Sequence, residues 1–256
     1  MKRDNRLEKL RQRLIEKEIE AILISQPENR YYLSGFCGSD GVLLITLKNS
    51  VLATDFRYLE QAKRQAPGYE LLKIGGDMKS WLPELTDELN LRSLGFEAGH
   101  ITFTEYHRIK DVLTDAELRL KLIPIDGLVE SLRAIKEPEE LEIITKAVTI
   151  ADATFECITD TIHPGITEKE LAWEIEKFLR EKGSEQIPFD VIVASGPNSA
   201  LPHAQPSQRA IESGEPVLID IGAKFQGYGS DLSRTIYLGN PDDTFQRVYE
   251  TVLGAQ

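Results

Sequence analysis

Cysteine is scarce. Cys37 and Cys157 are the only two in 256 residues and lie far apart. They form neither a disulfide framework nor a paired zinc pattern, which fits a reducing cytoplasm. Long apolar runs are also missing: none approaches the roughly 18 residues that mark a membrane-spanning helix. The opening MKRDNRLEKLRQRLIEKEIEA is charged throughout and has no apolar signal-peptide core. Positive charge is in deficit, with 30 Lys and Arg against 42 Asp and Glu, a net charge of −12. That balance argues against nucleic acid or an anionic membrane as partner, since both need a basic face. It reads first as a solvated acidic surface and does not by itself indicate metal. No internal repeat or low-complexity tract is present.

Apolar residues are plentiful at 41%, enough for a packed core, and the length suits two domains. Over residues 1–125, helix-like and strand-like patterns alternate. Leu7, Leu10, Leu14 and Ile19 mark an amphipathic opening helix, and 21–25 a buried strand. Residues 42–46 and 50–55 read as a hairpin around Lys48-Asn49. Helices are expected over 56–66, 79–89 and 104–113, and extended segments over 69–74, 93–97 and 118–125. This interleaving predicts an α/β domain with a mixed sheet. Residues 126–136 read as a charged linker, and 137–256 as a second domain. That domain opens with a helix over 139–161. The turn HPGIT follows, and a second helix is capped by Thr167 with Glu170 three residues on. Extended stretches at 189–195, 215–225 and 229–239 come next, and 244 onward is helical.

Two of those stretches each carry an aspartate. In VLIDIGAKFQGYGSDLSRTIYLG, Asp220 interrupts a buried-strand pattern and Asp231 stands in the next. A tight hairpin turn is expected near Phe225-Gln226-Gly227, with Gly227 free to take a positive φ. Centred between Phe225 and Gln226, that turn sets the two aspartates directly opposite, with Cβ atoms roughly 4.5–5.5 Å apart. Like charges so placed repel, so they require compensation, by a shared proton or by bound cations. His203 lies nearby in SGPNSALPHA, and Arg234 follows Asp231 in SRT, where a surface or carboxylate-pairing role is the ordinary reading.

These residues resemble a known family. RAIKEPEELEIITKAV (133–148), the 191–235 stretch from VIVASGPNSALPHAQ to SDLSRT, and YYLSGFCGSDGVLLIT (31–46) are similar to the pita-bread metallopeptidases. That family includes Xaa-Pro aminopeptidase, Xaa-Pro dipeptidase and methionine aminopeptidase. The resemblance implies a creatinase-like N-terminal domain with a mixed sheet, then an incomplete α+β pita-bread catalytic domain. It implies Asp220 as a ligand of one metal and Asp231 as the carboxylate bridging two. His203 would be the active-site histidine near the scissile peptide. Implied cofactors are two divalent ions, Mn²⁺ first given the oxygen-rich ligands, with Co²⁺ and Zn²⁺ as the family's alternatives. The implied substrate is a peptide with proline at its second position, handled by a cytoplasmic homodimer. The family places a further histidine and glutamates after the second aspartate. The chain is therefore expected to represent the N-terminal part of such an enzyme, without activity alone.

Two other readings share the fold: a metal-free creatinase-like hydrolase and a non-catalytic binding protein. Members of both kinds tend to lose the metal carboxylates, and here both aspartates are present. Other features are expected to be structural. GFCGSDG (35–41) departs from the G-x-G-x-x-G pattern and reads as a turn. Asp55 reads as a strand end that caps the next helix. Trp81, Trp173 and Cys157 read as packing residues, and His100, His107 and His163 are assigned no role.

Overall fold

The computed structural model describes residues 3–256. They fall into two units, Met1–Lys136 and Glu137–Gln256. In the first, helix α1 (Arg3–Glu16) buries Leu7, Leu10 and Leu14 at helical spacing. Chain order continues with β1 (Ala21–Ile24), α2 (Pro27–Ser34), β2 (Val42–Thr46), β3 (Ser50–Thr54), α3 (Leu59–Gln65) and β4 (Glu70–Lys73). Then come α4 (Leu82–Glu88), β5 (Ser93–Glu97), α5 (Phe103–Asp115), β6 (Lys121–Ile125) and α6 (Leu128–Ala134). The six strands form one sheet in the order β4-β3-β2-β1-β5-β6. It is mixed: β1–β2 and β2–β3 are antiparallel, while β3–β4, β1–β5 and β5–β6 are parallel.

Alternation along the strands feeds two cores. Ile22, Ile24, Leu43, Ile45 and Leu52 join α1, α2 and α6 on one face. Ala21, Leu23, Leu44, Val51 and Ala53 join α4 and α5 on the other. At the end of β5, the buried Glu97 accepts hydrogen bonds from the backbone N–H of Ser25 and of Gln26, both 2.7 Å, just ahead of α2. It also accepts from Asn29 Nδ2 at 2.7 Å. The 35–41 turn is held from within, because the buried Arg30 donates to the carbonyls of Gly38 and Gly41.

Four stretches of this unit differ from the sequence expectation. Helix α2 was not evident from PENRYYLS because its buried set includes Asn29, Arg30 and Ser34, which blur the apolar period. Helix α3 starts at Leu59 and not at 56, because Asp55 turns the chain first. Asp55 accepts from Arg57 N at 2.8 Å, and Tyr58 N donates to the Asp55 carbonyl. The last strand is shorter than 118–125. The 126–136 stretch contains α6, tied back to α2 by Asn29 bonds to Glu130 and Arg133.

The second unit begins with α7 (Pro138–Thr161) and α8 (Glu168–Glu181). The expected Thr167–Glu170 capping box is present at α8. Next are β7 (Ile192–Ser195), β8 (Glu215–Ile221), β9 (Lys224–Phe225), β10 (Tyr228–Gly229), β11 (Leu232–Leu238) and α9 (Asp243–Ala255). Strands β11-β8-β7 form an antiparallel sheet. Val217, Ile219 and Ile221 pack against Ile150, Ile158, Leu171, Ile175 and Leu179 of the two long helices. Leu218 and Asp220 lie on the opposite face and are half-buried. Trp173 is 66% exposed rather than packed, because it falls on the outer side of α8. Cys157 is half-buried on α7 rather than in the core. Among the described residues no helix is long and apolar enough to cross a membrane.

The hairpin turn differs from its expected position. Phe225 pairs with Tyr228, so the turn residues are Gln226 and Gly227, with φ of 46° and 83°. Two successive positive φ values are the mark of a type I′ turn, whose twist suits a two-residue hairpin. The centre therefore lies one residue later than expected. Asp220 faces Ser233 and not Asp231.

Gly222 sits inside this hairpin, where a Cβ would lie 2.5 Å from the Ser230 carbonyl oxygen and 2.6 Å from Phe189. Gly222→Ala is expected to destabilise the second unit by about 1–3 kcal/mol. Urea unfolding measures this, with Gly75→Ala, where a Cβ meets nothing within 4 Å, as the control.

Candidate metal centre

Asp220 occupies the middle of the second sheet, between Ile192 of β7 and Ser233 of β11. Ser233 Oγ donates to Asp220 Oδ1 at 2.8 Å and orients the carboxylate. Asp231 is exposed and immediately precedes β11. Its position is set by neighbours on both sides. Ser230 N donates to the Ala223 carbonyl at 2.8 Å, and Ser230 Oγ accepts from Ala223 N at 3.0 Å. The same hydroxyl donates to the Ala147 carbonyl of α7 at 3.0 Å. Tyr228 Oη donates to Glu140 of α7 at 2.5 Å. Ser230 thus clips the two arms together at Ala223, and Asp231 follows it directly, on the opposite arm of the hairpin from Asp220.

His203 is exposed in the connection between β7 and β8. That loop leaves the sheet at the Ser195–Val217 pair, three residues along β8 from Asp220. It opens with a 3-10 turn over Gly196–Ala200. The hairpin therefore carries Asp220 and Asp231 on its two arms, while His203 stays on a separate segment. Among the described residues no three His, Cys, Asp or Glu side chains converge closely enough to hold a metal ion. Asp220 and Asp231 offer two carboxylates on one hairpin, one with an oxygen fixed by a serine. Such oxygen donors suit a hard divalent cation, so the residues present fit the metal implied by the resemblance. Arg234 is exposed, and its guanidinium donates to the Ser233 carbonyl at 2.9 Å.

Behind the loop lies a polar cluster that the sequence did not reveal. Glu168, the first residue of α8, is fully buried and accepts from Ser195, Asn198 and Ser207. Burial pushes its carboxyl up, but the hydrogen bonds from Ser207, Ser195 and Asn198 outweigh burial and leave it below the usual carboxylate range. Arg209 grips Glu215 with two bonds of 2.5 and 2.6 Å and also reaches Ser195 Oγ at 2.6 Å. That grip holds the Glu215 carboxyl low. The available signal was compositional: small donors in SGPNS and PSQ bracket the loop on either side of His203.

Two family models match the chain. The Creatinase/Prolidase N-terminal domain covers residues 6–135, and Metallopeptidase family M24 covers 142–256. The chain belongs to metallopeptidase family M24. A peptidase of Bacillus subtilis, YqhT, is 39% identical over 98% of this chain and 70% of its own. The solved Xaa-Pro dipeptidase from Bacillus anthracis is 41% identical with a TM-score of 0.93, covering 99% of this chain and 70% of that one. The X-Pro aminopeptidase from Thermotoga maritima is 34% identical with a TM-score of 0.85, covering 97% and 69%. The chain carries the expected architecture, a creatinase-type N-terminal domain with a mixed sheet followed by an M24 domain of the pita-bread fold.

In the M24 chain the lowered carboxyls of Glu168 and Glu215 link stability to acid. A folded-state value below the unfolded one stabilises fully above the ordinary carboxylate range, and that stabilisation is lost as pH falls through the lowered values. The melting temperature of the second unit is expected to fall over that acid window. Calorimetry of Arg209→Met should show a shallower fall, because Glu215 then loses the cation that holds it low.

Proposed function

We propose that this M24 chain serves hydrolysis of the Xaa-Pro bond at a peptide N-terminus, with two divalent ions, Mn²⁺ foremost. The reading is supported by Asp220 in β8 and Asp231 just before β11, one carboxylate on each arm of a single hairpin, with Ser233 hydrogen-bonded to the first. Two carboxylates drawn together there would repel, and divalent cations would relieve that repulsion. Asp220 would hold one ion, and Asp231 would bridge both. When bound, the ions activate water and polarise the scissile carbonyl. His203, exposed on its loop, would donate a hydrogen bond to the substrate or to the developing oxyanion. The B. anthracis and T. maritima relatives are named for action on Xaa-Pro and X-Pro, and this supports proline as the second substrate residue. The absence of a basic excess favours a small peptide over a polyanionic partner.

Mn²⁺ titration calorimetry tests the reading. Asp220→Asn and Asp231→Asn are each expected to weaken binding severely. Ser233→Ala is expected to weaken it by about 10–100-fold, the usual effect of removing a group that orients a ligand. Unchanged affinity in both aspartate variants overturns the metal site. In the enzyme completed by the further histidine and glutamates that the resemblance implies, His203→Ala is expected to leave Mn²⁺ binding intact and to lower kcat on Ala-Pro by roughly 10²–10³-fold. Loss of metal in that variant would make His203 a ligand instead. Comparing Ala-Pro with Ala-Pro-Pro as substrates separates dipeptidase from aminopeptidase action.

A further inference from the structure

Glu168 collects an unusual number of donors on one buried carboxylate. Oε1 accepts from Ser195 N at 2.7 Å, Ser195 Oγ at 2.8 Å and Asn198 Nδ2 at 3.0 Å. Oε2 accepts from Ser207 N at 3.1 Å, Ser207 Oγ at 2.6 Å and Asn198 Nδ2 at 3.1 Å. An ionised carboxylate only accepts, and here each of its partners donates. Burying a charge without such compensation is strongly unfavourable. The donors also have a pattern in sequence. Ser195 ends β7, Asn198 lies in the following 3-10 turn, and Ser207 is where the chain comes back alongside α8. Backbone bonds secure that return: Lys169 N donates to the Ser207 carbonyl and Glu168 N to the Arg209 carbonyl, both 3.0 Å. One anion therefore closes both ends of a loop whose free span, between Asn198 and Ser207, contains His203.

We propose that Glu168 is the positioning residue for His203, fixing the 195–207 loop so that the imidazole is presented from a rigid base. The proposal rests on the reading of His203 as the group that faces substrate. Glu168 makes no contact with that substrate and acts through the loop alone. Replacement by glutamine is close in shape but wrong in chemistry. It removes the charge and turns an amide NH₂ toward groups that are themselves donors. Ser207→Ala and Asn198→Ala remove part of the cluster each and leave the carboxylate in place.

Amide hydrogen exchange and NMR of the His203 ring test this on the full chain. In Glu168→Gln, exchange over 196–207 is expected to rise at least about tenfold, the order set by lost hydrogen bonds to a charged group. Amides of α7 and β8 should stay near wild type, and the His203 ring signals should shift or broaden. Ser207→Ala and Asn198→Ala should each give a smaller change in the same direction, and they carry the test if Glu168→Gln fails to fold. Two results overturn the proposal: unaltered loop exchange with unaltered His203 signals, or loosening spread evenly through the second unit. Kinetics on Ala-Pro, in the enzyme completed by the further ligands the resemblance implies, separate it from the reading beneath it. If the loop loosens as expected but His203→Ala keeps wild-type kcat, positioning of the loop stands and the role of His203 falls. If His203→Ala is impaired, the loss from Glu168→Gln should vanish in the His203→Ala background. An undiminished loss there shows that Glu168 acts by another route.

Discussion

Two successive positive φ values, at Gln226 and Gly227, govern the second unit. They fix a two-residue turn, and the turn fixes the register of everything that follows it. Because side chains alternate at every residue, a slip by one position would move each to the opposite face. In the observed register Ile221 and Leu232 pack toward the core, while Asp220 and Ser233 share the other face. The same register brings Ser230 under α7, where its hydroxyl bonds the Ala147 carbonyl. A backbone preference at the tip of the hairpin thus decides which side chain Asp220 faces several residues away.

Carboxylates of two kinds emerge from this chain. Glu97, Glu140 and Glu168 are buried and enclosed by donors, serving as internal fasteners. Asp220 is half-buried and Asp231 exposed, and among the described residues Ser233 donates to the first. Composition treats all five alike. What separates them is the count of donors that the fold delivers, which depends on contacts between distant segments. The buried acids are satisfied already. The two open ones retain lone pairs for something external, and this contrast gives the metal reading its physical basis.

Much of this was legible beforehand. Short apolar runs marked the strands of the first sheet, and the Thr167–Glu170 spacing marked the start of α8, because both signals are local. The hairpin that carries the two aspartates was expected from its strand and turn signals. Their opposition was misjudged, because a type I′ turn can begin on Gln226, a residue without a glycine's freedom. Helix α2 was missed because its inward face carries Asn29, buried for a bond to Glu97 far along the chain, and Arg30, buried for bonds to the turn that follows. The Glu168 cluster was invisible for the same reason. Its three donor residues are separated in sequence, and only the return of the loop against α8 assembles them.

The bonds from Ser25 and Gln26 to Glu97 bear on what the first unit can bind. A helix start beside the carboxyl ends of parallel strands is where α/β proteins often seat a phosphate. Here a side chain of the neighbouring strand already sits on those N–H groups. The anion is built in, covalently attached and delivered by folding itself. The first unit has spent its natural phosphate seat on its own architecture, so a nucleotide arriving there would have to evict part of the protein.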